Sequence, residues 1–263
     1  MHRENLFNPK RFYWLIRNPI LLNKSAIFFV SAAIGGILLF ISVIDALKGP
    51  SPAFYQKFYI LILYLGGFIL TSRIFKELHH SEKGPAWLIL PASALEKFGS
   101  RLALSTVIYA FGTMLMLFLF SLASEAVNSL LLDRHHPLFN PFDPMILKGT
   151  VLYFVLQSPL LAGAVYFRKH VLSKTVLTLV VYIFVLLLFA FLGMKFFLGS
   201  YFDGVTSSLQ FLDHLQEVAG ADFLPYLEGL GRVGLWTFRI LFWAGLAPLF
   251  WTVGYYRLKE TER

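Results

Sequence analysis

One long charged stretch, residues 76–100, lies between two apolar segments of membrane-spanning length. An unpaired charge in hydrocarbon is costly, so we expect the stretch to lie at a membrane surface, where a partner can reach it. The sequence therefore predicts a docking element between two spans. Its charged members are Lys76, Glu77, Glu82, Lys83, Glu96 and Lys97, while Trp87, Leu88, Ile89 and Leu90 are expected to dip into the interface.

The docking element also carries signals of ordered structure. Residues 81–84 predict a turn and residues 85–90 an apolar edge. Ser93 can cap a helix N-terminus, and Glu96, three residues later, completes a capping box. A charge cluster is more often an ordinary solvated loop, but plain loops rarely need such punctuation.

Four further polar residues lie in or near apolar runs and are candidates for a translocation path: Arg239, Glu125, Gln157 and Ser158. Arg239 needs a partner, a cavity or the interface, and Glu125 is a possible counter-ion. The alternative is that Arg239 snorkels to the outer interface beside Trp236. Gln157 and Ser158 precede a proline that frees backbone carbonyls, so they either accompany a kink or line a path.

Several chemistries have no support in the sequence. There is no cysteine, and the two histidine pairs, 79–80 and 135–136, lack a third spaced ligand, so we predict no metal site. Neither a GxxxxGK[ST] loop nor a hydrolase motif is present. We expect no enzymatic activity and no cofactor bound by this chain.

Composition explains why charges are so informative here. Of 263 residues, 57% are hydrophobic and only 14% are charged, against about a quarter in globular proteins. The net charge of +8 comes from short basic clusters that flank apolar runs, which indicates membrane topology and not a nucleic-acid partner.

Apolar windows long enough to cross a bilayer predict six transmembrane helices in an all-α membrane protein. An N-terminal helix with Tyr13, Trp14, Arg17 and other interleaved apolar and basic residues is predicted to lie in the headgroup plane. Residues 201–231 show helical apolar spacing and predict an extracytoplasmic amphipathic helix. We expect one membrane domain over residues 1–263. The six windows are 25–46, 54–72, 102–124, 149–167, 175–198 and 233–256.

Orientation follows from the basic residues. Sixteen of the 23 Lys and Arg residues fall on the side that holds the N-terminus, and the other side holds the remaining 7. The positive-inside rule then predicts a multi-pass protein of the cytoplasmic (inner) membrane with both termini in the cytoplasm.

Residues 77–102 resemble one segment of a known protein family. Leu-Pro-Ala-Ser at residues 90–93 and Glu-Lys-Phe-Gly-Ser-Arg at residues 96–101 are similar to the cytoplasmic connection between helices two and three of type-2 ABC transporter permeases. Those permeases seat this connection, as a coupling helix, in a cleft of an ATPase subunit. The six-span layout with an amphipathic N-terminal helix is also similar, whereas Pro85 and Trp87 depart from the family's usual turn.

The resemblance implies a permease subunit of an ATP-driven exporter, with ATP and Mg²⁺ on a partner ATPase subunit. Glu82, Lys83 and Gly84 would face the ATPase, and Ser93, Glu96 and Lys97 would set the coupling helix against the third span, with Glu77 in the same element. A second permease copy or a homologue and membrane lipids are the other expected partners.

The transported molecule is expected to be lipid-like or amphipathic, because few ionisable groups lie in the spans. Two other classes stay open. A secondary transporter would need ionisable groups mid-membrane, and a non-transporting scaffold or assembly protein would need only the helices and surface segments.

Overall fold

The structure is a computed structural model that describes residues 7–49, 51, 53–80, 83–133, 135, 137–202, 236–237 and 239–262. All regular secondary structure in these ranges is helical. The chain divides into two compact units, Met1–Leu172 with Ala247–Arg263 and Ser173–Leu246. The expectation of one membrane domain over residues 1–263 stays a prediction.

The helices in chain order are α1 Pro9–Leu22, α2 Lys24–Lys48, α3 Phe54–Arg73, α4 Lys83–Ile89, α5 Ala94–Ala103, α6 Tyr109–Leu132, α7 Pro144–Tyr166, α8 Val171–Phe202 and α9 Leu246–Thr261. Two π-helical turns interrupt the series. Leu104–Ile108 joins α5 to α6, and Leu241–Gly245 precedes α9.

Among the described residues, five helical runs are long and apolar enough to cross a membrane: Lys24–Lys48, Phe54–Arg73, Ala94–Leu130, Pro144–Tyr166 and Val171–Phe189. They overlap the first five predicted windows, so the described part is all-α and the chain is a multi-pass membrane protein. The third run starts earlier than predicted because the charged helix α5 continues into the apolar part, which begins near Leu102.

Two predicted elements fall largely or partly outside the part of the chain that the structure describes. The extracytoplasmic amphipathic helix, residues 201–231, lies outside it apart from residues 201 and 202, which end α8. The sixth predicted span, residues 233–256, begins outside it, and its described portion includes Leu241–Gly245 and the first turns of α9.

Helix α1 forms where the sequence predicts an amphipathic N-terminal helix. The Asn8 side chain accepts a hydrogen bond from the Lys10 backbone at 3.0 Å, and Pro9 occupies the first turn, where its missing N–H is not needed. One face packs on α5, while Tyr13 and Trp14 are exposed and the Arg17 guanidinium lies 5.0 Å from the Trp14 ring centroid. Its place in the headgroup plane stays a prediction.

The first unit contains a buried cluster among the spans, which we call the membrane core. Helix α3 packs on α6 and α7, and α2 packs on α6. Glycines permit this approach, since a Cβ on Gly35 would overlap Phe120 and one on Gly67 would overlap Tyr153. The buried members are Leu38, Phe54, Tyr55, Tyr59, Leu63, Ala110, Leu117, Phe139, Ile146 and Tyr153.

A second buried cluster, the connection core, lies where the segment between α3 and α6 meets α7 and α9. It brings together residues that are far apart in sequence, so the charged stretch of the sequence is anchored and is not a free loop. The buried members are Phe75, Leu78, Trp87, Phe98, Leu161, Ala164, Val165 and Leu258.

Candidate functional site

The candidate site is the connection between α3 and α6. Residues 85–90, predicted as an apolar edge, belong instead to helix α4 and the residue after it. Trp87 was expected at the membrane interface, but it is buried in the connection core, and its ring lies 6.3 Å from that of Phe75. That expectation was wrong because long-range packing covers the ring. Ile89, by contrast, is 81% exposed.

The predicted turn before α4 is described in part. Residues 81 and 82, and so the coupling candidate Glu82, lie outside the described residues. The candidate Lys83 is the first residue of α4. The buried candidate Gly84 donates its backbone N–H to the His80 carbonyl at 2.8 Å, and an added Cβ would lie 2.9 Å from the Leu78 carbonyl oxygen. Glycine therefore lets α4 start close against the preceding turn.

The predicted capping box at the start of α5 is confirmed. The Ser93 hydroxyl accepts the Glu96 backbone N–H at 3.2 Å, and Glu96 Oε2 accepts the Ser93 backbone N–H at 2.7 Å. Two N–H groups that the helix itself cannot satisfy are thereby paired.

Glu96 does more than cap its own helix. Its Oε1 accepts the Asn8 backbone N–H at 2.5 Å and lies 3.4 Å from Arg11 Nη2, and Arg11 Nη1 donates to the Pro91 carbonyl at 3.1 Å. Burial raises the pKa of the Glu96 carboxyl, but the backbone N–H groups of Asn8 and Ser93 and the charge of Arg11 outweigh it and hold that pKa below its ordinary value. Glu96 therefore stays ionised and joins α5 to α1.

Lys97 makes the corresponding link to the C-terminal helix. Its side chain is 2% exposed, its Nζ lies 2.9 Å from Glu262 Oε1, and it sits 5.2 Å from the Trp87 ring centroid. The next residue, Phe98, stacks on Phe75 at 6.1 Å. The start of α5 is thus held by α1 on one side and by the end of the α9 segment on the other.

A third ion pair joins α5 to the segment that follows α3. Arg101 Nη2 donates to Glu77 Oε2 at 2.9 Å, and His79 Nε2 lies 3.0 Å from the Ala164 carbonyl oxygen of α7. Of the predicted docking residues, Glu77, Glu96 and Lys97 therefore have partners within the chain.

The connection has an exposed apolar surface where α4 passes into α5. We call Ile89, Leu90, Pro91 and Leu95 the apolar tip, because all four are exposed where α4 passes into α5. Sequence reasoning gave the charged residues the docking role and assigned Ile89 and Leu90 to the membrane interface instead. The signal that could have found this surface is the Leu-Pro-Ala-Ser run between two charged flanks.

The intramembrane candidates Gln157 and Ser158 are both fully buried in α7. The Ser158 hydroxyl donates to the Val155 carbonyl at 2.7 Å, which is the carbonyl that Pro159 cannot serve. Gln157 Nε2 donates to Ser105 Oγ at 2.9 Å in the π-helical turn, and Gln157 Oε1 has no hydrogen-bond partner among the described residues. Their role in a translocation path stays a prediction.

Glu125 and Arg239 belong to different units. Glu125 Oε1 lies 2.7 Å from His135 Nδ1. The exposed Arg239 has its guanidinium 5.9 Å from the Trp236 ring centroid, a geometry that suits the snorkelling alternative. The described part of the chain holds no group of three or more His, Cys, Asp or Glu side chains that could bind a metal.

Comparison with known proteins adds no assignment. No protein-family model matches this chain, and no curated protein and no solved structure is significantly similar to it. The feature of the chain that bears on function is therefore the connection. It has an apolar tip, held by ionic contacts, on a helix that continues into a membrane span.

Proposed function

We propose that this chain is the permease subunit of an ATP-driven exporter of the ABC class, located in the cytoplasmic membrane. A separate ATPase subunit binds ATP and Mg²⁺, and this chain catalyses no reaction. The observation that carries the proposal is the apolar tip, which the buried residues Glu96 and Lys97 hold in place from below.

The apolar tip has the chemistry of a protein-docking surface. Clustered exposed apolar side chains mark sites that another protein covers, and one anchor residue in a pocket supplies much of the binding energy. Ile89 is more exposed than the other two aliphatic side chains of the tip, Leu90 and Leu95, so we expect it to be the anchor residue. The tip also coincides with the Leu-Pro-Ala-Ser run that resembles the coupling helix of type-2 ABC permeases.

The tip is mechanically connected to a span. Helix α5 passes through the π-helical turn Leu104–Ile108 into α6 without a break, so a force on the tip reaches the third span directly. A π-helical turn is a common site of local adjustment in helices. This one is packed against α7, because Tyr153 OH donates to the Ser105 carbonyl at 2.6 Å.

Contacts also support the proposed topology. Asn8 contacts Glu96, and Glu262 contacts Lys97, which supports an arrangement with both ends of the described chain on the same side of the membrane as the tip. An even number of spans gives this arrangement. The excess of basic residues on that side makes it the cytoplasmic side, where an ATPase has access to ATP.

The cargo we propose is lipid-like or amphipathic, and the exporter would contain a second copy of this chain or a homologue. Buried polar groups among the spans make neutral hydrogen bonds, such as Tyr59 OH to Thr150 Oγ1 at 2.7 Å, and these do not suit the binding of a free ion.

Co-purification tests the proposal. An ABC ATPase should be recovered with this chain from detergent extracts, and Ile89→Asp should reduce that recovery about tenfold by placing a charge in the docking pocket. Leu138→Asp is the matched control: Leu138 is also an exposed aliphatic residue but lies in the loop between α6 and α7, outside the candidate spans, so its ATPase recovery should equal that of the parent.

Recovery of a stable particle without an ATPase, or equal recovery from Ile89→Asp and the parent, would contradict the proposal. An ATPase-free particle whose transport follows an ion gradient would favour the secondary transporter. An ATPase-free particle without transport would favour the scaffold.

A further inference from the structure

A groove of about 510 Å³ runs between the end of α7 and the outer face of α9. It lies within one compact unit and does not involve the apolar tip. Its α9 members recur at helical spacing, while Gly254 and Leu258, on the opposite face of α9, are buried. The lining residues are Tyr166, Leu249, Thr252, Val253, Tyr256, Arg257 and Glu260.

One end of the groove is apolar. Leu249 and Val253 are both exposed on α9, one helical turn apart. On a membrane-spanning helix, such a face is covered by lipid acyl chains or by another helix. The apolar end therefore fits a hydrocarbon chain that runs along the helix axis.

The other end of the groove is cationic. The Arg257 guanidinium lies 5.0 Å from the Tyr166 ring centroid, and its Nη1 donates to Glu260 Oε2 at 3.1 Å. An arginine has five N–H donors, so this single bond leaves donors for a phosphate. Arg168 and Lys169, two and three residues after Tyr166, are also exposed.

We propose that this groove is a binding site for one anionic phospholipid of the surrounding membrane. The phosphate contacts Arg257, with Arg168 and Lys169 adding to the positive field, and an acyl chain lies along Leu249 and Val253. Cationic pockets between helices at the cytoplasmic surface are the ordinary setting for anionic headgroups. This inference is independent of the proposed transport function.

Native mass spectrometry of the detergent-solubilised full chain tests the site, with phosphatidylglycerol as the probe and phosphatidylcholine as the comparison. The parent should retain one phosphatidylglycerol in preference to phosphatidylcholine. Arg257→Gln should weaken that binding about fivefold, because one cation near a headgroup contributes about that much. Lys259→Gln is the matched control: it removes the same charge from an exposed residue of α9 that does not line the groove, and should leave binding unchanged.

Glu260→Gln gives a result of opposite sign. Removing the carboxylate that competes for Arg257 should strengthen phosphatidylglycerol binding, an outcome that misfolding cannot produce. Equal losses in Arg257→Gln and Lys259→Gln, or equal retention of the two lipids, would overturn the proposal. So would a lipid-free dimer that Val253→Asp dissociates, because the occupant would then be a second copy of this chain.

Discussion

The membrane core and the connection core are both well buried, yet they use different polar contacts. In the membrane core the donors and acceptors are neutral, as in Tyr153 OH to the Ser105 carbonyl at 2.6 Å and Asn128 Nδ2 to Ser42 Oγ at 2.9 Å. Beside the connection core, Glu96 forms an ion pair with Arg11, and Lys97 forms one with Glu262. The difference locates the edge of the hydrocarbon, because a charge is tolerated only where partners and nearby water compensate it.

The two regions also differ in how their partners are distributed along the chain. The membrane core joins helices that meet along their lengths. The connection, by contrast, is joined to Asn8 by the Glu96 side chain and to Glu262 by the Lys97 side chain. We therefore expect a single substitution to lower the free energy of unfolding more in the connection than among the spans.

The largest effect should come from Glu262→Ala. It removes the carboxylate that lies 2.9 Å from the buried Lys97 ammonium, which should lower the free energy of unfolding by about 3 kcal/mol. Thermal unfolding of the purified protein in lipid nanodiscs measures the loss. The double variant Lys97→Met with Glu262→Ala should recover most of the stability, because no buried charge is left. A double variant as unstable as Glu262→Ala would show that the ionic contact is not the cause.

Gly67→Ala should have the largest effect within the membrane core. The new Cβ overlaps the Tyr153 ring, and overpacking of this kind costs about 2 kcal/mol. Gly36→Ala is the matched control, because nothing lies within 4 Å of a Cβ at that helical glycine. The same unfolding measurement should show no loss for Gly36→Ala. If both variants behave alike, α3 and α7 do not approach each other as closely as the structure has them.

A smaller effect is expected for Tyr153→Phe. It removes one neutral hydrogen bond to the π-helical turn and should lower stability by about 1 kcal/mol. A loss as large as that of Glu262→Ala would contradict the distinction between the two regions.

Acid should weaken the connection at low pH. Because the pKa of Glu96 is lowered in the folded protein, its contribution is complete above the ordinary glutamate pKa of about 4.3 and is lost as the pH falls through the lowered value. Unfolding measured from pH 7 downwards should show this loss in the parent. The Glu96→Gln variant should lack that component, whereas an identical pH profile would contradict the assigned role.

Periodicity and local signals predicted much of this fold. The first five spans, the helix at residues 9–22 and the capping box of Ser93 and Glu96 depend on neighbours in sequence, so composition and spacing suffice to find them. The helix α4 was missed because Gly84 and Pro85 together suggest a turn, and packing of Trp87 into the connection core overrides that preference.

The site was predicted less completely, for a physical reason. That Glu96 and Lys97 matter could be inferred, but their partners Arg11 and Glu262 lie at opposite ends of the chain, and no local pattern indicates such pairs. A charged residue in a surface stretch is normally solvated, so the sequence assigned these side chains to an outside partner. Because these side chains pair within the chain, we propose the apolar tip as the docking surface.

The most direct test of the account is the accessibility of Ile89, since the chain has no native cysteine. In the single-cysteine variant Ile89→Cys, we expect a membrane-impermeant maleimide to label the tip in inside-out vesicles but not in intact cells, and the bound ATPase to protect it. Labelling of that cysteine from the exterior, or unchanged labelling when the ATPase is present, would contradict the proposal that the tip lies in the cytoplasm and binds the ATPase.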